Sequence, residues 1–386
     1  MFYSRNRAAY YLIQYFSGVA FILPIWVIFN REFLELSNTA AFILGTIQYW
    51  LIFLFEIPTG AWADKYGRLL VFRIGALLQL AGVASFVITK DFAILLLYQV
   101  IGAFGAATSS GTLRPIIYQE LPKNKQTIES NDFIGRSEAI VFLSRATTVV
   151  VGGLLYTINP VYPFIGMALG HLTSFLISFA MTDKSDKSPL PTKLHIYETL
   201  AVLKKSYEIK LLAIMVLFFV ITSETIFALF QPYLRYINFD LELFGVIYLV
   251  VSVFSGLGAI ISRKINEKKW LLPLLLMQAS IVITSASMLT ESILLFILGI
   301  IPASVAFGVV RPIYDSVLLR KTVSDSHSTA LSIGSFYITA LYGLVVVSVG
   351  VLLDNFTVLN VVSGILALSI VFSAISIIIN IKKKDF

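Results

Sequence analysis

The stretch Glu56-Ile57-Pro58-Thr59-Gly60-Ala61-Trp62-Ala63-Asp64-Lys65-Tyr66-Gly67-Arg68 ends one apolar run and opens the next. Gly60 has no Cβ and lets its helix approach a neighbour closely. Gly67 permits a tight turn, including one with positive φ. Asp64 can accept hydrogen bonds from a facing helix N-terminus, where the dipole favours an anion. Arg68 can pair with Asp64 or with an acid such as Glu120. With Lys65 these residues make a small charged latch that can hold one arrangement of helices and release another. The competing reading is a structural turn whose basic residues face anionic lipid.

Outward from this loop the chain is apolar in both directions. Of its 386 residues 58% are hydrophobic and only 13% charged. Its mean hydropathy is +0.86. A soluble domain carries about 25% charged residues, so soluble enzymes, nucleic-acid binders and disordered proteins are excluded. The absence of cysteine removes disulfides, Cys-ligated metals and thiol catalysis, and three scattered histidines make no metal site. Neither a cofactor nor a metal is expected.

A helix needs about 20 apolar residues to cross a bilayer. Twelve stretches qualify, at 8–29, 37–62, 69–88, 92–119, 134–157, 161–182, 209–235, 240–262, 270–289, 292–319, 327–351 and 356–381. They are numbered below as spans one to twelve. With the N-terminus inside, 23 of the 29 Lys and Arg fall on the inner side and 3 on the outer side. That bias predicts an even number of spans with both termini inside. The net charge of +7 therefore reports topology and gives no reason to expect nucleic acid as a partner. The one long polar segment, 183–208, divides the chain into an N-terminal six-helix bundle, 1–182, and a C-terminal one, 209–386. No phosphate-cradling loop is present, so energy must come from an ion or solute gradient.

The halves repeat. Gly111, Arg114 and Pro115 recur as Gly308, Arg311 and Pro312, and Gly153 recurs as Gly350, each 197 residues on. Gly60-Ala61 recurs as Gly258-Ala259 at an offset of 198. Two parallel six-span halves imply alternating access around a site near the membrane midplane.

The loop 60–68 resembles the signature of the major facilitator superfamily, G-x-x-x-D-[RK]-x-G-[RK], with every anchor position filled. Together with the repeat, the resemblance covers essentially the whole chain. The lead-in Glu56-Ile57-Pro58-Thr59-Gly60, with Ser110-Gly111 and Tyr118, resembles a bacterial branch with many efflux-type members. The resemblance implies an all-α integral membrane protein of twelve transmembrane helices in two pseudo-symmetric six-helix bundles. It also implies a monomer in the bacterial plasma membrane that is not an enzyme. Spans one, four, seven and ten would line the cavity. Two patterns of the family depart here. Tyr98 stands where proton-coupled members often carry an Arg, four residues before Gly102. Thr148-Val149 stands before Gly152-Gly153 where antiporters have Gly-Pro.

Six charges are read as lying inside the membrane: Glu56, Arg114, Glu138, Arg145, Glu224 and Arg311. A charge at the bilayer centre costs roughly 2.5–3.5 kcal/mol on insertion scales, so those that persist are paired or functional. Glu224, mid-span seven, is the leading proton or substrate site, because a buried carboxyl can exchange a proton reversibly. Glu56 is the second candidate, or a partner of Arg114. Arg145 is an anion site or a counter-charge to Glu138 or Glu56; Glu138 and Arg145 are seven residues apart and share a helix face. Arg114 with Glu120, and Arg311 with Asp315, read as gate-region pairs. Gln14 adds a hydrogen bond among the aromatics Tyr10, Tyr11, Tyr15, Phe16, Phe218, Phe219, Phe227, Phe230 and Tyr233 of spans one and seven. The expected function is proton-coupled export of a hydrophobic or amphipathic small molecule, with protons, substrate and membrane lipids as partners. A nutrient uniporter or symporter and a lipid flippase of the same fold are the alternatives. An intramembrane enzyme or a non-transporting sensor is remote.

Overall fold

The computed structural model describes residues 5–109, 112–119, 126–183, 207–262, 265, 271–321 and 327–384. Helix occupies each of the twelve expected stretches, and no strand occurs among the described residues. Span two is Asn38–Tyr66, span three Arg68–Ile88, span five Gln126–Ile158 and span seven Tyr207–Tyr236. Span eight is Phe244–Ser262 behind a 3₁₀ turn, span ten Ile293–Lys321, span eleven His327–Asn355 and span twelve Val358–Lys384. Nine helices among the described residues are long and apolar enough to cross a membrane. Shorter apolar helices lie at Leu275–Met288 and Leu341–Asn355.

Two spans are less regular than their hydropathy suggests. Span four is Phe92–Ser109 followed by a separate short helix, Arg114–Gln119. Span one is α-helical over Arg5–Ser17, is interrupted, and resumes as a 3₁₀ turn at Leu23–Ile25, a short α segment at Trp26–Ile28 and a π turn at Phe29–Phe33. Pro24 lies in that 3₁₀ turn; it lacks an N–H and cannot continue a regular helix. Backbone freed inside a bilayer needs new partners. Thr148 of span five supplies one: its hydroxyl accepts from the Ala20 N–H at 2.9 Å. Ser144, one turn earlier, donates to the Tyr15 carbonyl at 2.6 Å. Gly152 completes the seat, since a Cβ there would run into the Phe21 carbonyl. Thr148→Val keeps the volume and leaves the Ala20 N–H without its acceptor. It is expected to lower stability by about 1–3 kcal/mol. Thr148→Ser should restore most of it in thermal unfolding of the detergent-solubilised protein.

The chain divides into two compact units. The first contains Met1–Leu36, Ile43–Thr192 and Leu241–Gly245; the second contains Ser37–Phe42, Lys193–Asp240 and Val246–Phe386. Within the first unit, spans three and four meet through glycines. A Cβ on Gly82 would approach Gly102 Cα to 2.9 Å, and one on Gly105 would approach the Gly75 carbonyl to 2.7 Å. Small residues let helices close on one another where no hydrophobic effect drives them together. Arg73 ties span three to the turn after span six, donating from Nε to Ser178 Oγ and from Nη2 to the Ser178 carbonyl, each at 3.1 Å. Asn6 and Thr182 exchange two 2.9 Å hydrogen bonds that tie span one to the end of span six.

The sequence repeat has a counterpart in the packing. In the first unit Thr59 Oγ1 donates to the Ala107 carbonyl at 3.1 Å, where spans two and four cross. In the second unit spans eight and ten cross at the matching place. A Cβ on Gly258 would strike the Val305 carbonyl, and one on Gly308 would strike the Ser255 carbonyl. A second matched pair involves Gly153 and Gly350. A Cβ on Gly153 would lie 2.8 Å from the Glu242 carbonyl at the start of span eight. One on Gly350 would lie 2.8 Å from Thr39 Cα and 2.9 Å from the Phe42 ring at the start of span two. These contacts explain why Leu241–Gly245 groups with the first unit and Ser37–Phe42 with the second.

Candidate functional site

Span seven is the most enclosed of the apolar helices. Of its apolar window 67% is buried, against 22–44% for the other eight. One stripe escapes cover: Ile221, Glu224, Phe227 and Ala228 are partly accessible, whereas Thr222, Ser223, Thr225 and Ile226 are buried. The stripe follows helical spacing, so it is a single face of the helix. Glu224 therefore sits mid-span on the partly accessible face of the helix.

Phe227 carries an aromatic ring on that face, and further rings pack in the core behind it. Phe227 lies 5.0 Å from Phe230 and 5.1 Å from Phe307 of span ten, centroid to centroid. Phe230 meets Phe296 at 5.6 Å, and Tyr233 meets Phe296 at 5.0 Å. Phe218, toward the other end, stacks on Phe372 of span twelve at 4.1 Å. Seven residues beyond Glu224, Gln231 Nε2 donates to the Tyr248 hydroxyl of span eight at 2.9 Å. Gln231 and Tyr248 are absent from the residues that the sequence singles out. Gln231 is a buried amide two turns from a mid-span acid, and that spacing was the available signal.

In the first unit Gln14 is half-buried on span one, just before the break. Its carbonyl accepts from the Gly18 N–H at 3.1 Å. Tyr15 and Thr147 hydroxyls are 3.4 Å apart. Arg145 is exposed on span five, and so is Glu56 on span two. Charges in spans are costly when they face lipid, so these faces point to polar surroundings.

Sequence offers Glu138 or Glu56 as the counter-charge to Arg145, and Glu56 or Glu120 as the partner of Arg114. Among the described residues, Arg114 Nη2 donates to Glu138 Oε1 at 3.1 Å, with both side chains partly exposed. Tyr10, buried on span one, hydrogen-bonds Arg114 and lies 3.3 Å from Ser137 Oγ. Spans one, four and five thus share one polar cluster at this end of the first unit. Glu120, and the side chains of Asp64, Arg311 and Asp315, lie outside the described residues.

At the loop that opened the sequence reading, Gly67 has φ 104° and ψ 132° between the two helices. A Cβ there would meet nothing within 4 Å, so the requirement is conformational and not steric. Its N–H bonds back to the Ala63 carbonyl at 3.0 Å. Gly60 lies within the helix of span two; Lys65 is exposed and Arg68 half-buried.

Known proteins agree with this architecture. A transporter of Bacillus subtilis (strain 168), described as an uncharacterized MFS-type transporter, YxaM, is 22% identical over 246 residues. The match covers 58% of this chain and 57% of the relative, so the chain spans little more than half of that protein's length. Among solved structures, a bacterial homologue of the lysosomal transporter Spinster, in its inward-facing and unoccupied conformation, superposes with a TM-score of 0.73 at 16% identity. That superposition covers 96% of this chain and 94% of the other. The nucleoside transporter NupG superposes with a TM-score of 0.74 at 14% identity over 97% of each chain. At these identities the likeness speaks for the fold alone. Residues 8–345 match the Major Facilitator Superfamily, and the chain belongs to that family of membrane transporters.

Proposed function

We propose that the protein exports a hydrophobic or amphipathic small molecule against its gradient by alternating access, driven by protons. The observation that carries this reading is Glu224 on the partly accessible face of span seven, one turn before Phe227 and its ring contact with Phe307. A carboxylate turned to lipid at that depth is costly, whereas one turned to a wet cavity can hold a proton or a polar substrate group. Phe227 offers apolar area beside it, and the Gln231–Tyr248 pair lies two turns further along the same helix; in the first unit Gln14 is the hydrogen-bonding candidate. Arg145 serves as an anion site or counter-charge, and Glu56 is the second carboxylate. The rocking bodies are 1–182 and 209–386, joined by 183–208, with both termini inside a bacterial plasma membrane. The working unit is a monomer with lipid as its solvent. On the inner side Gly60, Asp64, Lys65, Gly67 and Arg68 form the latch, with Arg311 and Asp315 as the matching pair in the second half.

One observation favours a second reading. The Gln231–Tyr248 pair suits a polar solute, so uptake by symport is the competing function. Vesicles reconstituted with the purified protein separate the two. A panel of amphipathic fluorescent dyes and of nucleosides is offered with and without an imposed pH gradient. Export by proton exchange predicts gradient-dependent dye accumulation that an ionophore collapses. Nucleoside accumulation without dye movement would replace it with the symport reading, and transport of dye indifferent to the gradient would remove proton coupling.

A further inference from the structure

Span two begins at Asn38, and its first turn exposes backbone N–H groups that have no partner within the helix. Ser37 takes one, accepting from the Ala40 N–H at 3.1 Å through Oγ. Asp354 takes two more. Its Oδ1 accepts from the Asn38 N–H at 2.8 Å and from Asn38 Nδ2 at 3.0 Å. Its Oδ2 accepts from the Thr39 N–H at 3.0 Å and from Thr39 Oγ1 at 2.6 Å. One carboxylate, 315 residues away in sequence, thus receives four hydrogen bonds at the positive end of a long helix.

Its own position makes that contact informative. Asp354 is the penultimate residue of span eleven, Asn355 being the last. A negative charge there opposes the dipole of its own helix. The cost is offset only while the N-terminus of span two lies within reach. Gly350, one turn earlier on the same face, removes the side chain that would otherwise hold Thr39 and Phe42 away. The matched position in the first half carries no such acid. There Thr157 bonds to the Leu154 carbonyl of its own helix at 2.9 Å. Asp354 lies beyond the apolar stretch 327–351.

Residues Ser37–Phe42 group with the second unit, and span two continues from Ile43 in the first. The Asp354 contact thus lies inside the second unit, at the point where span two passes from one unit to the other. We propose that Asp354 is a latch at the end of the bundle assigned to the outside, gripping the first turn of span two in this conformation and releasing it in the alternative one. The proposal rests on the transport reading for its purpose, but its test does not need a substrate. The chain has no cysteine, so a single Ala41→Cys gives a clean reporter in that first turn, where Ala41 is fully buried. Purified protein in lipid nanodiscs, open to reagent from both faces, is treated with a membrane-impermeant maleimide. Adding Asp354→Ala is expected to speed modification roughly fivefold, the size of a charge-to-helix-end contact with its hydrogen bonds. Thr39→Val keeps volume, loses one bond and should give a smaller rise. It decides the matter alone if Asp354→Ala fails to fold. Faster modification supports the latch whether or not any solute moves in vesicles. Unchanged modification overturns it, even where transport is intact.

Discussion

In Glu224→Gln, gradient-driven accumulation of substrate in vesicles is expected to fall about 5- to 150-fold, the span of typical coupling free energies of about 1–3 kcal/mol. Passive equilibration should continue. The amide keeps the shape and the hydrogen-bonding capacity of the carboxyl but can neither take nor give up a proton. Its effect therefore separates coupling from binding. Folding should survive, since removing a charge from a span relieves an insertion cost. Glu224→Ala is the companion variant, because it also strips hydrogen bonding from the partly accessible face of span seven. If Glu224→Gln accumulates substrate as the wild type does, Glu224 is not the proton site and Glu56 becomes the carboxylate to examine. Neutralising an exposed pair elsewhere, Arg114 with Glu138, should cost far less, because partly solvated ion pairs contribute about 0–1 kcal/mol.

The second large effect is expected at Gly308. Replacement by Leu should prevent the second unit from packing, and Gly308→Ala should destabilise it by about 1–3 kcal/mol or more. Even a methyl at this position would strike the Ser255 carbonyl and come within 3.0 Å of the Ala259 N–H. Both are backbone atoms, so no side chain can swing aside. Spans eight and ten would have to separate, giving up the contacts that stand in for a hydrophobic driving force inside lipid. Gly256 is the control: a Cβ there meets nothing within 4 Å, and Gly256→Ala should be neutral. Thermal unfolding and the monodisperse yield after detergent extraction would measure both. Equal stability of the two alanine variants would mean that the crossing is looser than its geometry.

Much of this protein is legible in one dimension, for a physical reason. Lipid leaves a spanning backbone few options, so each long apolar stretch must become helix. Hydropathy alone therefore locates the helices to within a few residues, as at Asn38–Tyr66 against 37–62 and Val358–Lys384 against 356–381. The repeat was legible because close crossings demand glycine, and glycine is conspicuous: Gly258, Gly308, Gly153 and Gly350 each sit at a contact where a Cβ would collide. Gly67 was legible because a positive φ between two helices has one cheap occupant.

Pairing was not legible. A carboxylate and a guanidinium two turns apart on one face satisfy the spacing rule, and sequence offered Glu138 to Arg145 on its own helix. The observed partner of Glu138, Arg114, comes from another span. The break in span one was equally hidden, since an apolar run reads alike whether straight or broken. Thr148 stands where the family resemblance leads one to expect glycine, and its role became clear only when its hydroxyl was found on the Ala20 N–H.

By itself, then, the sequence determined the number of apolar stretches, their helical character, the duplicated plan and the charged loop at Gly60–Arg68. Those properties follow from the exclusion of water and from residue types with a single cheap use. Only the tertiary structure decided which charges meet, which face of span seven stays partly accessible around Glu224, and that Asp354 closes on the first turn of span two. Such contacts join residues up to 316 positions apart. They depend on angles and breaks between helices, and no periodicity along the chain records those.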